Sequence, residues 1–565
     1  MRKRTLAWIL ATACAFSIAL SGCSGGTSAG KTPAAPSAPT GAPAETQSAV
    51  PAVVKELRIG TTSSIDGFNI MKENGIFGKL NYNGVCTAPF VVTDSEGVVQ
   101  PYFMTSWELS DDLNTLTGTF ATDQGINWHD GEPVTVDDVV FTFNYLAERK
   151  SGYMSGLVGA EAVDDTTVVL TFTDGKAFTA LNSMANFVWV RPEHVWSKVE
   201  GEYSEYQGED ARIACGPYKL TDVDEEAQIL TYEAVSDTYL GREVTVKKLV
   251  VRTYDSADAL VMALRNDEVD AMYNYSNSLD PTMAASITGV EGLDPGMSDN
   301  PGNYQLVFGF NKQPTDDLSF RKAVRAALDY ELLCSTIGGE NGQIPSTGIV
   351  APPNKGFDGS LPRLNQNVDE ANRLLDEAGY LDINNDGFRE LPDGSEMNVL
   401  ITPQYNKTRQ PLYLRIAEVL KNNLEAVGVQ TTLDDESVRN SDHATEVRKQ
   451  GTYEFYIGYT SPGVAMYDTA FMYIIGNNGN NPWGTCLIPE FVEAYEAKKA
   501  SGSYEEYNAA MKELQAIADE QVVGLALCWD KAYFPYRTDK YEGWTNYPGW
   551  GVINCDTWYS LRPIA

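Results

Sequence analysis

Two short stretches of this chain hold residue types that could do chemistry. His129-Asp130-Gly131-Glu132 sets an imidazole among carboxylates, the inventory of a metal or acid–base cluster. The chain has only 3 His, at His129, His194 and His443, and no two are close in sequence, which weakens a His-built site. A glycine turn between a strand and a helix explains the same residues without chemistry. The second stretch is Asp382-Ile383-Asn384-Asn385-Asp386-Gly387, with Glu390 and Asp393 at the ninth and twelfth positions. Asp382, Asn384, Asp386, Glu390 and Asp393 together could supply the oxygens of a structural calcium site. Pro392 interrupts the loop and no clear exiting helix follows, so an Asx-rich surface turn fits the same residues. No G-x-S-x-G, HExxH or P-loop motif occurs, and the chain is expected not to be an enzyme.

The elements that would position these stretches alternate between strand and helix from Lys55 onward. Leu57–Thr61 reads as a first strand. Thr135-Val136-Asp137-Asp138 reads as a capping box ahead of Val139, Val140, Phe143 and Leu146 at helical spacing. Ser256, Asp317 or Ser319, Asn367 and Ser503 each open a further helix. The helix from Asp317 or Ser319 is expected to run on through Val324, Ala327, Leu328 and Leu332. Glu268–Ala271, Val429–Leu433 and Val522–Leu527 read as strands. The pattern predicts a mixed α/β body. Hydrophobic residues at 43% supply a large core, and a net charge of −35 argues against a nucleic-acid partner.

Residues 1–22 read as a lipoprotein signal peptide. Basic Met1–Arg4 precede an apolar run from Leu6 to Leu20, too short to span a membrane. Leu20-Ser21-Gly22-Cys23 resembles the bacterial lipobox, which implies lipidation of Cys23. Residues 23–55, rich in Ser, Gly, Thr, Pro and Ala, read as a disordered tether. Six cysteines follow, read as mostly free thiols, with a pairing among Cys486, Cys528 and Cys555 as the exception to expect.

In order along the chain, Ser106–Asp112, Asn127–Val139, Cys215–Tyr218, Phe310-Asn311 with Arg321–Val324, and Ala371–Tyr380 resemble the signature segments of one family. It is family 5 of the extracellular solute-binding proteins of ABC importers, whose members take peptides, nickel chelates and some sugars. The resemblance implies a two-lobed, periplasmic-binding-protein type II-like clamp with an extra subdomain in the first lobe. The first lobe would cover 56–305 with an inserted subdomain at 89–212, the second 306–529, and 530–565 would return to the first. In the family the His129 segment is structural.

The resemblance also implies a site. Gly458, Tyr459 and Thr460 match the ligand strand and loop, with Tyr459 packing on the ligand and its neighbours hydrogen-bonding to it. Tyr273, Tyr275, Trp483 and Trp529 are further wall candidates. Peptide-binding members often carry an Asp just after this segment to pair with a peptide's α-amino group. Here the chain reads Gly458-Tyr459-Thr460-Ser461-Pro462, and Asp468 is the nearest acid downstream. The implied function is capture of a solute, foremost an oligopeptide, and its delivery to ABC permease and ATPase subunits. The protein would be a monomer anchored by lipid on the outer face of the cell membrane or in the periplasm, and no cofactor beyond the calcium candidate is implied. A sugar or metal-chelate binder and a surface sensor are the alternatives, with a secreted hydrolase behind them.

Cys23→Ala is expected to release the protein into the medium or to leave an unprocessed precursor, read by fractionation and mass spectrometry. Processed Cys23→Ala protein found wholly on the membrane would overturn the anchor.

Overall fold

Leu57-Arg58-Ile59-Gly60-Thr61 is buried at every position but Arg58, as suits a strand with neighbours on both edges. In the computed structural model, which describes residues 53–72, 74–406, 409–462, 469–476 and 484–564, this strand runs parallel to Lys248–Thr253 on one side and Ala271–Met272 on the other. They form the middle of a seven-stranded sheet. Ile229–Ala234 and Tyr218–Asp224 complete one edge, Tyr536–Arg537 and Leu293–Asp294 the other. Arg58 fastens the parallel seam. Its backbone N–H and Nε donate to Asp270 Oδ2 at 2.9 and 3.0 Å, and Nη2 donates to Oδ1 at 2.6 Å. The Asp270 side chain is fully buried, and Lys540 Nζ also lies 3.5 Å from its Oδ1.

The second sheet has five strands in the order Thr431–Leu433, Val399–Pro403, Phe455–Thr460, Asn303–Phe308 and Gly524–Cys528. Alternate residues serve two cores. Leu306, Phe308, Phe455 and Ile457 join the helices Leu318–Ala327, Tyr330–Gly338 and Gln410–Glu425. Val307, Tyr456 and Ala526 join Pro489–Lys499 and Tyr504–Gln521. Helices on both faces explain why Phe455–Thr460 reads as an unbroken buried run. A four-stranded antiparallel sheet lies within residues 104–172, covered by the helix Val136–Glu148. Its core merges with that of the seven-stranded sheet.

Two crossovers connect the two large sheets. Met297–Asp299 leads through residues 300–302 into Asn303–Phe308, and Gly524–Cys528 leads through residues 529–530 into Lys531–Tyr533. Met297–Asp299 and Lys531–Tyr533 pair antiparallel, so the crossings lie side by side. The expected lobe boundary at 305/306 falls inside Asn303–Phe308. That strand is laddered along its length to Phe455–Thr460, so the chain changes lobes before it, at 300–302. Gly302 is required there, because a Cβ would meet the Thr460 carbonyl oxygen at 2.2 Å.

Local sequence signals place most elements, with three corrections. The long helix expected through Leu332 is two helices, Leu318–Ala327 and Tyr330–Gly338. Leu328 is extended, and the Asp329 carboxylate accepts the Leu332 N–H to cap the second helix. The strands expected at Glu268–Ala271 and Val429–Leu433 shrink to Ala271–Met272 and Thr431–Leu433. All six cysteines of the body are free and buried. The pairing expected among Cys486, Cys528 and Cys555 does not form: Cys528 Sγ faces the Cys334 carbonyl, and Cys555 Sγ faces Tyr82 O.

Asp270→Ala would strip Arg58 of its buried partner. We expect it to lower the unfolding free energy by about 3–5 kcal/mol in urea denaturation. A loss below about 1 kcal/mol would show that Asp267, which also bonds Arg58, holds the guanidinium unaided.

Candidate functional site

The residues around the crossovers form one polar chain. Asn300 Nδ2 donates to Asp530 Oδ1 at 2.7 Å, joining the two crossing segments. The Tyr459 hydroxyl donates to Asn300 Oδ1 at 3.2 Å. Over the Tyr459 ring, 3.4 Å from its centroid, lies the guanidinium of Arg409, which is also 5.7 Å from the Tyr304 ring. Arg409 precedes the helix Gln410–Glu425, where its own N–H donates to Asn406 Oδ1. Its Nη2 reaches into the first lobe and donates to the Ser276 carbonyl at 2.9 Å. Burial pushes the Asp530 carboxyl up to about 6, against the Asn300 N–H and the Arg409 charge, which both pull it down.

Ser276 links this polar chain to an aromatic cluster of the first lobe. The preceding residue, Tyr275, has a left-handed φ of 55°, a costly conformation for an aromatic residue. Its ring lies 5.2 Å from Tyr82 and 4.9 Å from Trp550. Tyr82 in turn meets Phe187 and Trp189 edge-on at 5.2 and 5.8 Å. Among the described residues, the buried Trp189 indole N–H has no hydrogen-bond partner. Further contacts close the seam between lobes. The hydroxyls of Ser276 and Ser461 are 3.2 Å apart, and Arg415 pairs with Asp280 at 3.7 Å. The Thr179 hydroxyl donates to the Lys499 carbonyl at 2.6 Å, and the Tyr504 hydroxyl donates to Asn182 Oδ1 at 2.5 Å.

The sequence-derived candidates fall in different places. Tyr459 lies at the seam, but Arg409 covers its ring face. Gly458 and Thr460 lie in the same strand, opposite Gln305 and Asn303, rather than in a loop. Thr460 Oγ1 accepts the Asn303 N–H at 3.1 Å. A Cβ on Gly458 would meet the Tyr456 ring at 2.9 Å, so internal packing already demands glycine there. Tyr275 stands in the aromatic wall. Tyr273 is wholly buried in the first-lobe core, with its hydroxyl on the Lys79 carbonyl. Trp529 packs edge-on against Phe357 at 5.5 Å, under the Arg363 guanidinium, and so belongs to a different wall from Tyr275. Cys23, Asp468 and Trp483 lie outside the described residues.

The loop at Asp382 is knit by its own backbone. Asp382 accepts the N–H groups of Asp386 and Gly387, Asp386 accepts that of Phe388, and Glu390 accepts that of Ile383. Asn384 donates to Glu390 at 2.7 Å. Asp393 turns away to cap its own turn at Ser395, so the expected five-residue ligand set does not assemble. Among the described residues, no group of three or more His, Cys, Asp or Glu could hold a metal ion. His129 Nε2 sits 3.1 Å from the Gly216 carbonyl oxygen, and burial pushes its pKa down to about 4. Gly131, at φ 102°, makes the turn that follows.

The residues that sequence reasoning missed are Arg409, Asn300, Asp530, Tyr82, Phe187, Trp189 and Trp550. They come from distant segments with no shared spacing, and the only local signal was Asp530 adjoining the candidate Trp529.

Two lobes joined by paired crossovers, with aromatic and polar residues meeting at the seam, define a bilobal binding protein. The family model described as "Bacterial extracellular solute-binding proteins, family 5 Middle" matches residues 98–483. The chain belongs to that family. It is 26% identical over 387 residues to the oligopeptide-binding protein AppA of Bacillus subtilis, covering 62% of this chain and 66% of AppA, just under two thirds of that relative. Solved structures share the fold. AppA of Bacillus subtilis in complex with a nonapeptide superposes with a TM-score of 0.70 at 18% identity, covering 91% of this chain and 100% of that one. NikA of Brucella suis in complex with Fe(III)-EDTA gives 0.74 at 18%, covering 90% and 100%. Among the described residues no helix is long and apolar enough to cross a membrane.

Folding raises the Asp530 pKa, so the native state holds a proton that the unfolded chain has released between about pH 4 and 6. Its stabilising contribution is full below the unfolded value and is lost as pH rises through about 6. Asp530→Asn is therefore expected to melt above wild type at about pH 7.5 and level with it near pH 4. An offset independent of pH would place the titration elsewhere.

Proposed function

We propose that this protein captures an oligopeptide between its lobes and delivers it to the permease and ATPase subunits of an ABC importer. It works outside the membrane as a monomer, held there by lipid on Cys23. The observation that carries this reading is the meeting of the aromatic wall with the Arg409–Tyr459–Asn300–Asp530 chain at the lobe seam. Aromatic rings give contact area at low entropy cost and tolerate varied side chains, as a peptide carrier needs. Family membership and the oligopeptide-binding name of AppA support it. The protein binds and releases its solute unchanged, and the chemistry of import belongs to the ATPase.

A thermal-shift screen of peptides, sugars and metal chelates tests this directly. A ligand at about 100 times its Kd should stabilise the protein by about 2.7 kcal/mol. Stabilisation by sugars alone would move the assignment to a saccharide carrier, and a screen with no response would sink the binding role. Tyr459→Ala should weaken the best ligand at least about tenfold, ~1.4 kcal/mol, with the fold intact by circular dichroism. Unchanged binding would remove Tyr459 from the site.

A further inference from the structure

Gly524–Cys528, the edge strand of the five-stranded sheet, breaks its alternation at its last residue. Gln305 stands opposite Ala526 and Tyr304 opposite Cys528, so Leu527 is an extra residue, a bulge. Strict alternation would send Cys528 to the face of Ala526, away from Leu525 and Leu527. The bulge instead puts Leu527 and Cys528 together in the core that holds Cys334, on the helix Tyr330–Gly338. There the two thiols lie across each other's backbone. Cys334 Sγ is 3.8 Å from the Leu527 carbonyl oxygen, and Cys528 Sγ is 3.9 Å from the Cys334 carbonyl oxygen. The Cys334 side chain is also a hydrogen-bonding neighbour of the Cys528 thiol.

Backbone on either side keeps the two elements in this register. The Gln343 N–H donates to the Trp529 carbonyl at 2.8 Å, and the Trp529 N–H donates to the Gln343 carbonyl at 3.0 Å. A Cβ on Gly338 would stand 3.3 Å from Cys528 Sγ, and one on Gly342 only 2.3 Å from the Cys334 carbonyl oxygen. Bulge, backbone bridge and glycines thus hold one pair of thiols together. As thiols they gain little from it, because sulfur donates and accepts weakly. The family is extracellular, and such a compartment permits disulfides.

We propose that Cys334 and Cys528 form a disulfide in the exported protein, by exchange with a small-molecule disulfide as the strand Gly524–Cys528 docks on the helix. One protein thiolate attacks a sulfur of the reagent, giving a mixed disulfide and releasing one reagent thiol. The other protein thiolate attacks the protein sulfur of that mixed disulfide, forms the Cys334–Cys528 bond and releases the second reagent thiol. The two protons lost by the protein end on the two released thiols, and the reagent takes both electrons. Cys334 beside it and burial around it push the Cys528 thiol up, so the finished core supplies almost no thiolate. The exchange therefore belongs to the folding chain or to a local opening. The bond clamps the edge strand, and with it the second-lobe end of the crossing at 529–530, to the helix Tyr330–Gly338.

Refolding the reduced full chain in a buffer of oxidised and reduced glutathione tests this. The product is unfolded in an alkylating agent, digested and mapped by mass spectrometry. The peptides carrying Cys334 and Cys528 should be found joined, about 2 Da lighter than the two thiol peptides together. Cys86, Cys215, Cys486 and Cys555 should be alkylated. Alkylated Cys334 and Cys528, or links scattered among the other cysteines, would overturn the pairing, and this mapping needs no variant to fold. The refolded protein should also melt higher before dithiothreitol than after it. Cys334→Ala and Cys528→Ala should each remove that difference and leave the remaining partner open to alkylation. A joined pair whose reduction leaves the melting temperature unchanged would overturn the clamp.

Discussion

An amide and a carboxylate 2.7 Å apart, at Asn300 and Asp530, tie together the two strands of chain that pass between the lobes. Around this bond the rest of the seam is built. Asn300 also accepts from the Gly302 N–H and from Tyr459, so the crossing backbone and the second-lobe sheet share one acceptor. A side chain on Gly302 would force that crossing off the Thr460 carbonyl. The crossings are thus held by a few polar contacts on short segments.

The seam departs from a purely apolar clamp. Its first-lobe side is a packed set of rings, from Phe187 and Trp189 through Tyr82 to Tyr275 and Trp550. Its second-lobe side carries a buried cation resting on two tyrosines. Rings accept many partners, whereas a buried charge is selective, because a ligand lacking the opposite charge leaves it unpaired. The two lobes thus bring different surfaces to the seam, rings from the first and a buried charge from the second.

Much of the fold was legible in the sequence, because caps and periodicity are local. Ser256, Asn367 and Ser503 each accept the N–H three residues on, as their spacing announced. The break at Leu328 was hidden because Ala327, Leu328 and Leu332 keep a helical pattern across it, while Asp329 restarts the helix with its own cap. The site was less legible. Tyr459 and Tyr275 could be named from the segments they occupy. Arg409, Asn300 and Asp530 could not, since their meaning arises only when residues over a hundred positions apart converge on the crossovers. The calcium spacing at Asp382 shows the opposite hazard, a pattern that the loop's own N–H groups satisfy.

The six cysteines among the described residues, all free and buried, impose a schedule on a protein of an extracellular family. In the native state the thiols are doubly protected, by lack of access and by burial that pushes Cys86, Cys486 and Cys555 up to about 12, which leaves almost no thiolate. An unfolded chain outside the cell would have neither protection, and such surroundings permit disulfides. Core formation must therefore outrun disulfide scrambling. The same race recurs whenever the native protein opens, so a destabilised variant would be drained into mispaired, insoluble chains instead of returning to its folding equilibrium.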